Sequence, residues 1–522
     1  MRASFNRFML SFAIGCLFLT SIASAQHYSH TMVPANGATG MGESNYVPAQ
    51  PMSVYTNQQV YDPLAYSEAA YYPQYANSAG GYPQFYGDTY GYPVVNQCET
   101  YSPGLTCGKW FVTGWLDQGF TYNTRKPRNS QNGPLKFNDR SEEYQLNQAY
   151  LVMGRNVATS GNCWDFGGRV DLLYGSDYLW TSAVGLETHT QLNGMYQEDP
   201  NVLPSRWNSD GGVQRGLASA SRFGLAMPQL YAEFYVPLHY GLNVKAGHFY
   251  SIMGYESAMS PRNFFYSRSY SMMYGQPMTH TGILFSQRLT PRLTGIFGVT
   301  RGWNTWEDPN GKMSYLGGFS WASCDKRTEI SLIGHTGNET VSHEDGGVII
   351  QRSKSEAIRS HYSFVLSHQL TGRLKLVTQH DLGYEKDAAF EMIDGNTRSL
   401  NGHWYSLSQY AFYQLTDTLS LGVRGEWFRD VNSSRVMPLQ PVRVTTGGVV
   451  EQEIRGADYS HIAVGLNWKP YDCLVVRPEA RWDWSDVYVR DNMTGTNLIG
   501  GVYDDHQRKS QSTISLSAYV TF

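Results

Sequence analysis

The 522-residue chain has no apolar run of about 20 residues, the length a helix needs to cross a bilayer, which excludes a helical membrane protein. Charge is also scarce, 16% of residues where about 25% is usual in soluble proteins. Cysteine is rare, six in all, with no C-x-x-C pair and no adjacent histidine pattern, so no metal site is expected. Basic residues (40) do not outnumber acidic ones (44), and a net charge of −4 argues against nucleic acid as a partner. There is no G-x-S-x-G, no H-E-x-x-H and no phosphate-binding glycine loop, so neither an enzyme nor a cofactor is expected. What is abundant is glycine (52) and tyrosine (38), beside a mean hydropathy of −0.41. A polar average with few charges and many aromatics calls for an explanation segment by segment.

The first segment addresses the chain. Arg2 and Arg7 precede an apolar stretch from Phe8 to Leu19, and Ala23-Ser24-Ala25 stands before Gln26. That is the pattern of a signal peptide, residues 1–25, cleaved after Ala25. Lipid attachment at Cys16 fits poorly, because the apolar stretch continues through Leu17, Phe18 and Leu19. Export implies an oxidising compartment. Beyond the signal peptide Cys98, Cys107, Cys163, Cys324 and Cys473 are odd in number, so at least one thiol is left over even if Cys98 and Cys107 bridge. Residues 26–108 contain no Lys or Arg and repeat Tyr, Pro, Gln and Gly, with Tyr72-Pro73, Tyr82-Pro83 and Tyr92-Pro93 among the phrases. Such a segment cannot build a core and reads as a disordered spacer, or as a sticky tract for a polymer or partner.

From 109 to 522 the pattern changes to segments of about ten residues that alternate apolar and polar side chains, the period of a strand with unlike faces. Ile514, Leu516, Ala518, Val520 and Phe522 fall on one face of the last segment, with Thr513, Ser515, Ser517 and Thr521 on the other. Val476, Ala480, Trp482 and Trp484 oppose Arg477, Glu479, Arg481 and Asp483. A charged stripe behind an aromatic one fits a wall with lipid outside and water inside. Seven short links alternate with eight longer polar ones, Glu385 to Gly402 among them, which gives a transmembrane antiparallel up-and-down β-barrel of about sixteen strands, with fourteen to eighteen acceptable. A secreted propeller or sandwich would also alternate, but no blade-length repeat of 40–50 residues is present.

Specific phrases carry a resemblance. Gly114-Trp115-Leu116-Asp117, Leu146-Asn147-Gln148-Ala149-Tyr150, Val244-Lys245-Ala246-Gly247-His248-Phe249, Asn263-Phe264-Phe265, Gly422 to Asp430 and Arg477-Pro478-Glu479 resemble the OmpL-like outer-membrane β-barrel porin family over essentially the whole barrel. The chain also ends in Phe522, as barrels delivered to the outer-membrane assembly machinery commonly do. The resemblance implies a general porin in the cell outer membrane, a passive diffusion channel for ions and small polar solutes. Expected partners are the lipid bilayer, those solutes, the assembly machinery and, in a homotrimer, further copies of the chain. A surface adhesin or receptor acting through the long loops is the alternative.

The strand facing makes Arg169, Asp171, Glu233, Lys245, Arg424, Glu426, Arg477, Glu479, Arg481 and Asp483 pore-lining, because an Arg or Lys turned to lipid at the midplane costs about 2–4 kcal/mol. With both signs present, a transverse field and weak ion selectivity are expected, unless the charges pair and merely brace the wall. The long link after the fifth strand, Tyr250 to Met278, folds into the lumen in sixteen-stranded porins; by resemblance Glu256, Arg262 and Arg268 are constriction residues. Pro478 inside a strand calls for a bulge or a shorter strand. Ser363 and Ser367 near His361 and His368 are the one hydroxyl–histidine grouping to inspect for hydrolysis.

Overall fold

The computed structural model describes residues 110–157, 163–183, 186–187, 223–306, 311–339, 342–345, 348–351, 358–393, 396–436, 452–453, 456–487, 489–491, 497–504 and 507–522. The expected signal peptide, the Tyr/Pro-rich segment, Cys98 and Cys107 lie outside them. Sixteen strands form the barrel wall in chain order: β1 (Trp110–Asn123), β2 (Tyr144–Arg155), β3 (Asp165–Gly175), β4 (Gly224–Val236), β5 (Leu242–Tyr250), β6 (Thr279–Arg288), β7 (Leu293–Thr300), β8 (Ser314–Ala322), β9 (Thr328–Asn338), β10 (Ile358–Gln369), β11 (Leu374–Ile393), β12 (Asn396–Thr416), β13 (Leu419–Asp430), β14 (Ala457–Tyr471), β15 (Leu474–Ser485) and β16 (Ser510–Thr521), with further strands of two to four residues in the long loops. Each pairs antiparallel with the next, and β1 pairs with β16 from Trp115–Thr521 to Asn123–Thr513. The sheet therefore closes on itself and leaves no unpaired edge, the one way a sheet satisfies its backbone in lipid.

Burial is inverted relative to a water-soluble protein. On β16 the apolar Ile514 and Leu516 are 56% and 53% exposed, while Ser515 and Ser517 between and beside them are buried. The same holds around the wall: Phe166, Phe234, Phe297, Ile462 and Trp482 face out, and serines, glutamines and charged groups face in. Exposed aromatics gather at both rims, Trp110, Trp164, Tyr240 and Trp468 toward the short links and Tyr144, Tyr174 and Tyr315 toward the long loops. An apolar band between two aromatic girdles is what a bilayer selects, since those rings suit the boundary between hydrocarbon and headgroups.

Two expectations change. The region from Glu385 to Gly402 is not a loop: β11 and β12 run 20 and 21 residues and continue as a paired hairpin through Ile393 and Asn396, with an irregularity between Glu385 and Ala389. Pro478 needs neither a bulge nor a shortened strand. β15 keeps an unbroken register with β16 through Pro478–Leu516, while toward β14 the ladder lapses between Gly465–Glu479 and Trp468–Val476 and resumes in the same register. The missing N–H is accommodated by leaving two pairs of one ladder unmade.

Candidate functional site

Residues 251–278, between β5 and β6, fold into the barrel, and almost every residue of this loop is buried. Its aromatic run is seated on places where the wall has no side chain. A Cβ at Gly422 would collide with Phe264, one at Gly465 would stand 3.3 Å from Phe265, and one at Gly119 would stand 2.5 Å from Tyr266. Gly422 and Gly465 face each other directly across β13 and β14, so two adjacent rings share one glycine floor.

The charged stripes on the wall hold the same loop. Arg424 Nη1 donates to Glu256 Oε1 at 2.5 Å. Arg477 donates to Asp117 at 2.9 Å and to the carbonyl oxygens of Ser260 and Asn263 at 3.1 and 3.2 Å. Glu479 accepts from the Ser267 amide at 3.0 Å, and Glu426 from the amides of Tyr270 and Ser271 at 2.5 and 2.8 Å. Arg481 bonds Asp483 through two nitrogens at 2.7 and 2.9 Å and donates to the Arg268 carbonyl at 2.5 Å. Such charge-assisted bonds are about twice as strong as neutral ones, and here they replace the water that the loop's backbone has lost.

The far side of the loop is capped from three other elements. In the turn Ser271–Gly275, the Met273 carbonyl accepts from Lys136 at 2.7 Å, the Tyr274 carbonyl from Arg435 at 2.9 Å, and the Gly275 carbonyl from Trp404 Nε1 at 2.9 Å. Lys136 belongs to the loop after β1 and Arg435 to the loop after β13. The Lys136 ammonium also lies 4.1 Å from the centre of the Tyr274 ring. Burial, followed by the Arg435 charge, brings the Lys136 amine down to about 7.

All ten residues expected to line the pore are inward and buried. They are not spread as free charges of opposite sign. Arg169 and Asp171 pair at 2.6 Å, Arg481 and Asp483 pair two residues apart on one strand, and Glu233 accepts from Asn243 at 2.7 Å beside Lys245, its direct cross-strand neighbour. Paired at contact distance, such groups brace the wall and the loop. Glu256 and Arg262 do line a common small cavity, partly open to solvent, with Tyr250, Ser251, Met253 and Gln276. Arg268 departs from expectation: it is 1% exposed and donates to the carbonyls of Ser257, Phe265 and Tyr266, so it ties the loop to itself. Ser363, Ser367 and His361 are buried on the inner face, but His368 lies on the other face, against Thr328 at 2.9 Å. His361 meets Asp381 at 3.3 Å, and the Ser367 hydroxyl has no hydrogen-bond partner among the described residues.

The sequence reasoning missed Asp117, Lys136, Trp404 and Arg435. Asp117 had a signal, standing on the polar side of an alternation with Val112 and Leu116, which are both exposed. The other three had none, because their partners are backbone carbonyls distant in sequence.

Comparison with curated proteins finds no match. Among solved structures the chain is similar to OmpT, an outer membrane protein of Vibrio cholerae, at 8% identity and a TM-score of 0.46, covering 80% of this chain and 99% of that one. It is similar to the outer membrane channel DcaP of Acinetobacter baumannii at 8% identity and a TM-score of 0.43, covering 80% and 99%. The anion-selective porin from Comamonas acidovorans matches at 9% identity and a TM-score of 0.43, covering 79% and 99%. Residues 110–522 match the family described as "Putative beta-barrel porin-2, OmpL-like". With its barrel matched from the first strand to the last residue, the chain belongs to this outer-membrane porin family.

Proposed function

We propose that the protein is a passive diffusion channel of the outer membrane for small polar solutes and ions, narrowed by the loop 251–278. The observation that supports this best is the meeting of Glu256 and Arg262 at a cavity partly open to solvent in a loop otherwise packed against the wall. A wall lined with hydroxyl, amide and paired charged groups keeps a lumen wettable, and a loop anchored at both ends sets its width. Residues 1–25 direct export, and the C-terminal Phe522 serves as the signal for barrel assembly. Its backbone pairs with Gly114 at 3.0 Å in both directions, while its ring is 61% exposed on the outside of the barrel.

The purified full-length protein in a planar bilayer is expected to give stepwise conductance. Substituting Arg262→Gln, which removes one charge at the cavity, should shift the reversal potential in a salt gradient. Failure of the barrel to conduct while it keeps heat-modifiable mobility would favour an adhesin or receptor. The β11–β12 hairpin, which extends well past the adjoining strands, supports that second reading.

A further inference from the structure

The inner faces of β6 to β9 break the polar pattern of the lumen at mid-height. Leu284, Ile296, Leu316 and Ile333, one from each strand, point inward and pack with Ile252 and Met253 of the loop and with Tyr231 and Phe249. Leu284 and Leu316 both stand opposite Gly298, and Ile296 and Ile333 both stand opposite Gly318. The glycine in each trio lets its two aliphatic neighbours close over it; a Cβ at Gly298 would lie 3.0 Å from Leu284 and 3.6 Å from Leu316.

Along the same strands the inward residues toward the long loops are His280, Thr300, Ser314 and His335, and toward the short links Ser286, Thr294, Ser320 and Ser331. Above the aliphatic ring Thr300 Oγ1 and both ring nitrogens of His335 are buried without a hydrogen-bond partner among the described residues; below it so is Ser286 Oγ. Buried polar atoms left in this way are satisfied by water or by a solute passing over them. The loop's charged bonds to the barrel centre on β1, β13 and β15, on the other side of the lumen. At mid-height of β6 to β9 it offers the side chains of Ile252 and Met253 to an apolar collar between two polar zones, with Ser251 meeting His280 at 3.3 Å above.

We propose that this collar selects the permeant: it holds back bare inorganic ions and admits organic solutes that carry a polar or charged head on an aromatic or branched aliphatic body. The inference rests on the channel reading above and narrows its solute class. A bare ion in the collar exchanges its hydration for groups that cannot solvate it. A solute with its own apolar body places that surface against Leu284, Ile296, Leu316 and Ile333, and Met253, unbranched and polarizable, repacks around it.

The test uses the full-length exported protein in planar bilayers with potassium chloride and in liposome-swelling assays with benzenesulfonate and the smaller methanesulfonate. Met253→Ser and Ile333→Ser should each raise the potassium chloride conductance about tenfold, because a hydroxyl wets the collar. Benzenesulfonate should enter wild-type liposomes faster than methanesulfonate, which reverses the order of a simple sieve and needs no variant to fold. Faster methanesulfonate uptake, with conductance unchanged in both variants, overturns the collar and leaves the channel reading intact. Absence of current and of uptake from wild-type and variants whose barrels keep heat-modifiable mobility overturns the channel reading, and the collar with it.

Discussion

Arg424 on β13 and Glu256 on the inward loop form an ion pair at 2.5 Å in which both side chains are almost fully buried. The Glu256 carboxylate spends its second oxygen on the Ser269 amide at 2.7 Å, so this contact joins the wall to two points of the loop at once. Replacing Arg424 by Met strands a buried carboxylate and should cost about 3–5 kcal/mol, while the double change to Met at both positions should recover much of that loss. Denaturant titration of the heat-modifiable form measures both. A double variant no more stable than Arg424→Met alone would show that the pair does not hold the loop.

Gly422 carries the ring of Phe264 directly above it. Gly422→Val should overpack the seat and cost about 1–3 kcal/mol. Adding Phe264→Ala should relieve the clash, so the pair of substitutions is expected to be non-additive in the same denaturant titration. Additive losses would place the strain elsewhere on β13.

Lys136 couples loop attachment to pH. Its amine stands at about 7 in the folded protein against an ordinary 10.5, so the unfolded chain binds more protons between those values and stability rises with pH across that window. The penalty of burying the ammonium is complete below about 7 and is gone above about 10.5. Tryptic cleavage at Arg125 and Arg128, expressed as a ratio to the Lys136→Met variant at each pH, should therefore slow from pH 7 upward. A ratio flat with pH would remove Lys136 from the latch.

The outward face predicts its own penalties. Leu516→Arg, near the middle of β16 and facing lipid, should destabilise the barrel by about 2–4 kcal/mol. Refolding into bilayers at graded urea concentrations reads this directly, and a neutral outcome would mean that Leu516 does not face hydrocarbon.

Cys163, Cys324 and Cys473 all stand at the short-link end, between β2 and β3, β8 and β9, and β14 and β15. Short links of such barrels face the periplasm. In a Cys98→Ser, Cys107→Ser background, a membrane-impermeant maleimide should label Cys163 and Cys324 only after the outer membrane is opened. Labelling on intact cells would invert the orientation.

The barrel was legible because one rule, period-two alternation, acts on every strand, and because each inward Arg or Asp such as Arg477 and Asp483 carries a large penalty for facing lipid. Link lengths were legible wherever polar residues cluster, and misleading at Glu385 to Gly402, where a polar stretch turned out to be a paired hairpin beyond the apolar belt. At the site, the facing of Arg424 and Glu426 was predictable, but their partners were not. Glu426 bonds two backbone amides and Arg268 three carbonyls, and backbone groups leave no mark in a sequence. The glycine seats under Phe264, Phe265 and Tyr266 escaped for a related reason, since a glycine chosen for its empty space looks like any other.

Pro478 gives the cylinder a seam. Where its ring interrupts the ladder, Pro478 has no N–H to give the Leu466 carbonyl opposite it, in a wall whose other side is filled by Phe265 over Gly465. A barrel pulled or heated should begin to part along that line, the amides shared by β14 and β15 losing their protection from hydrogen–deuterium exchange ahead of those shared by β13 and β14.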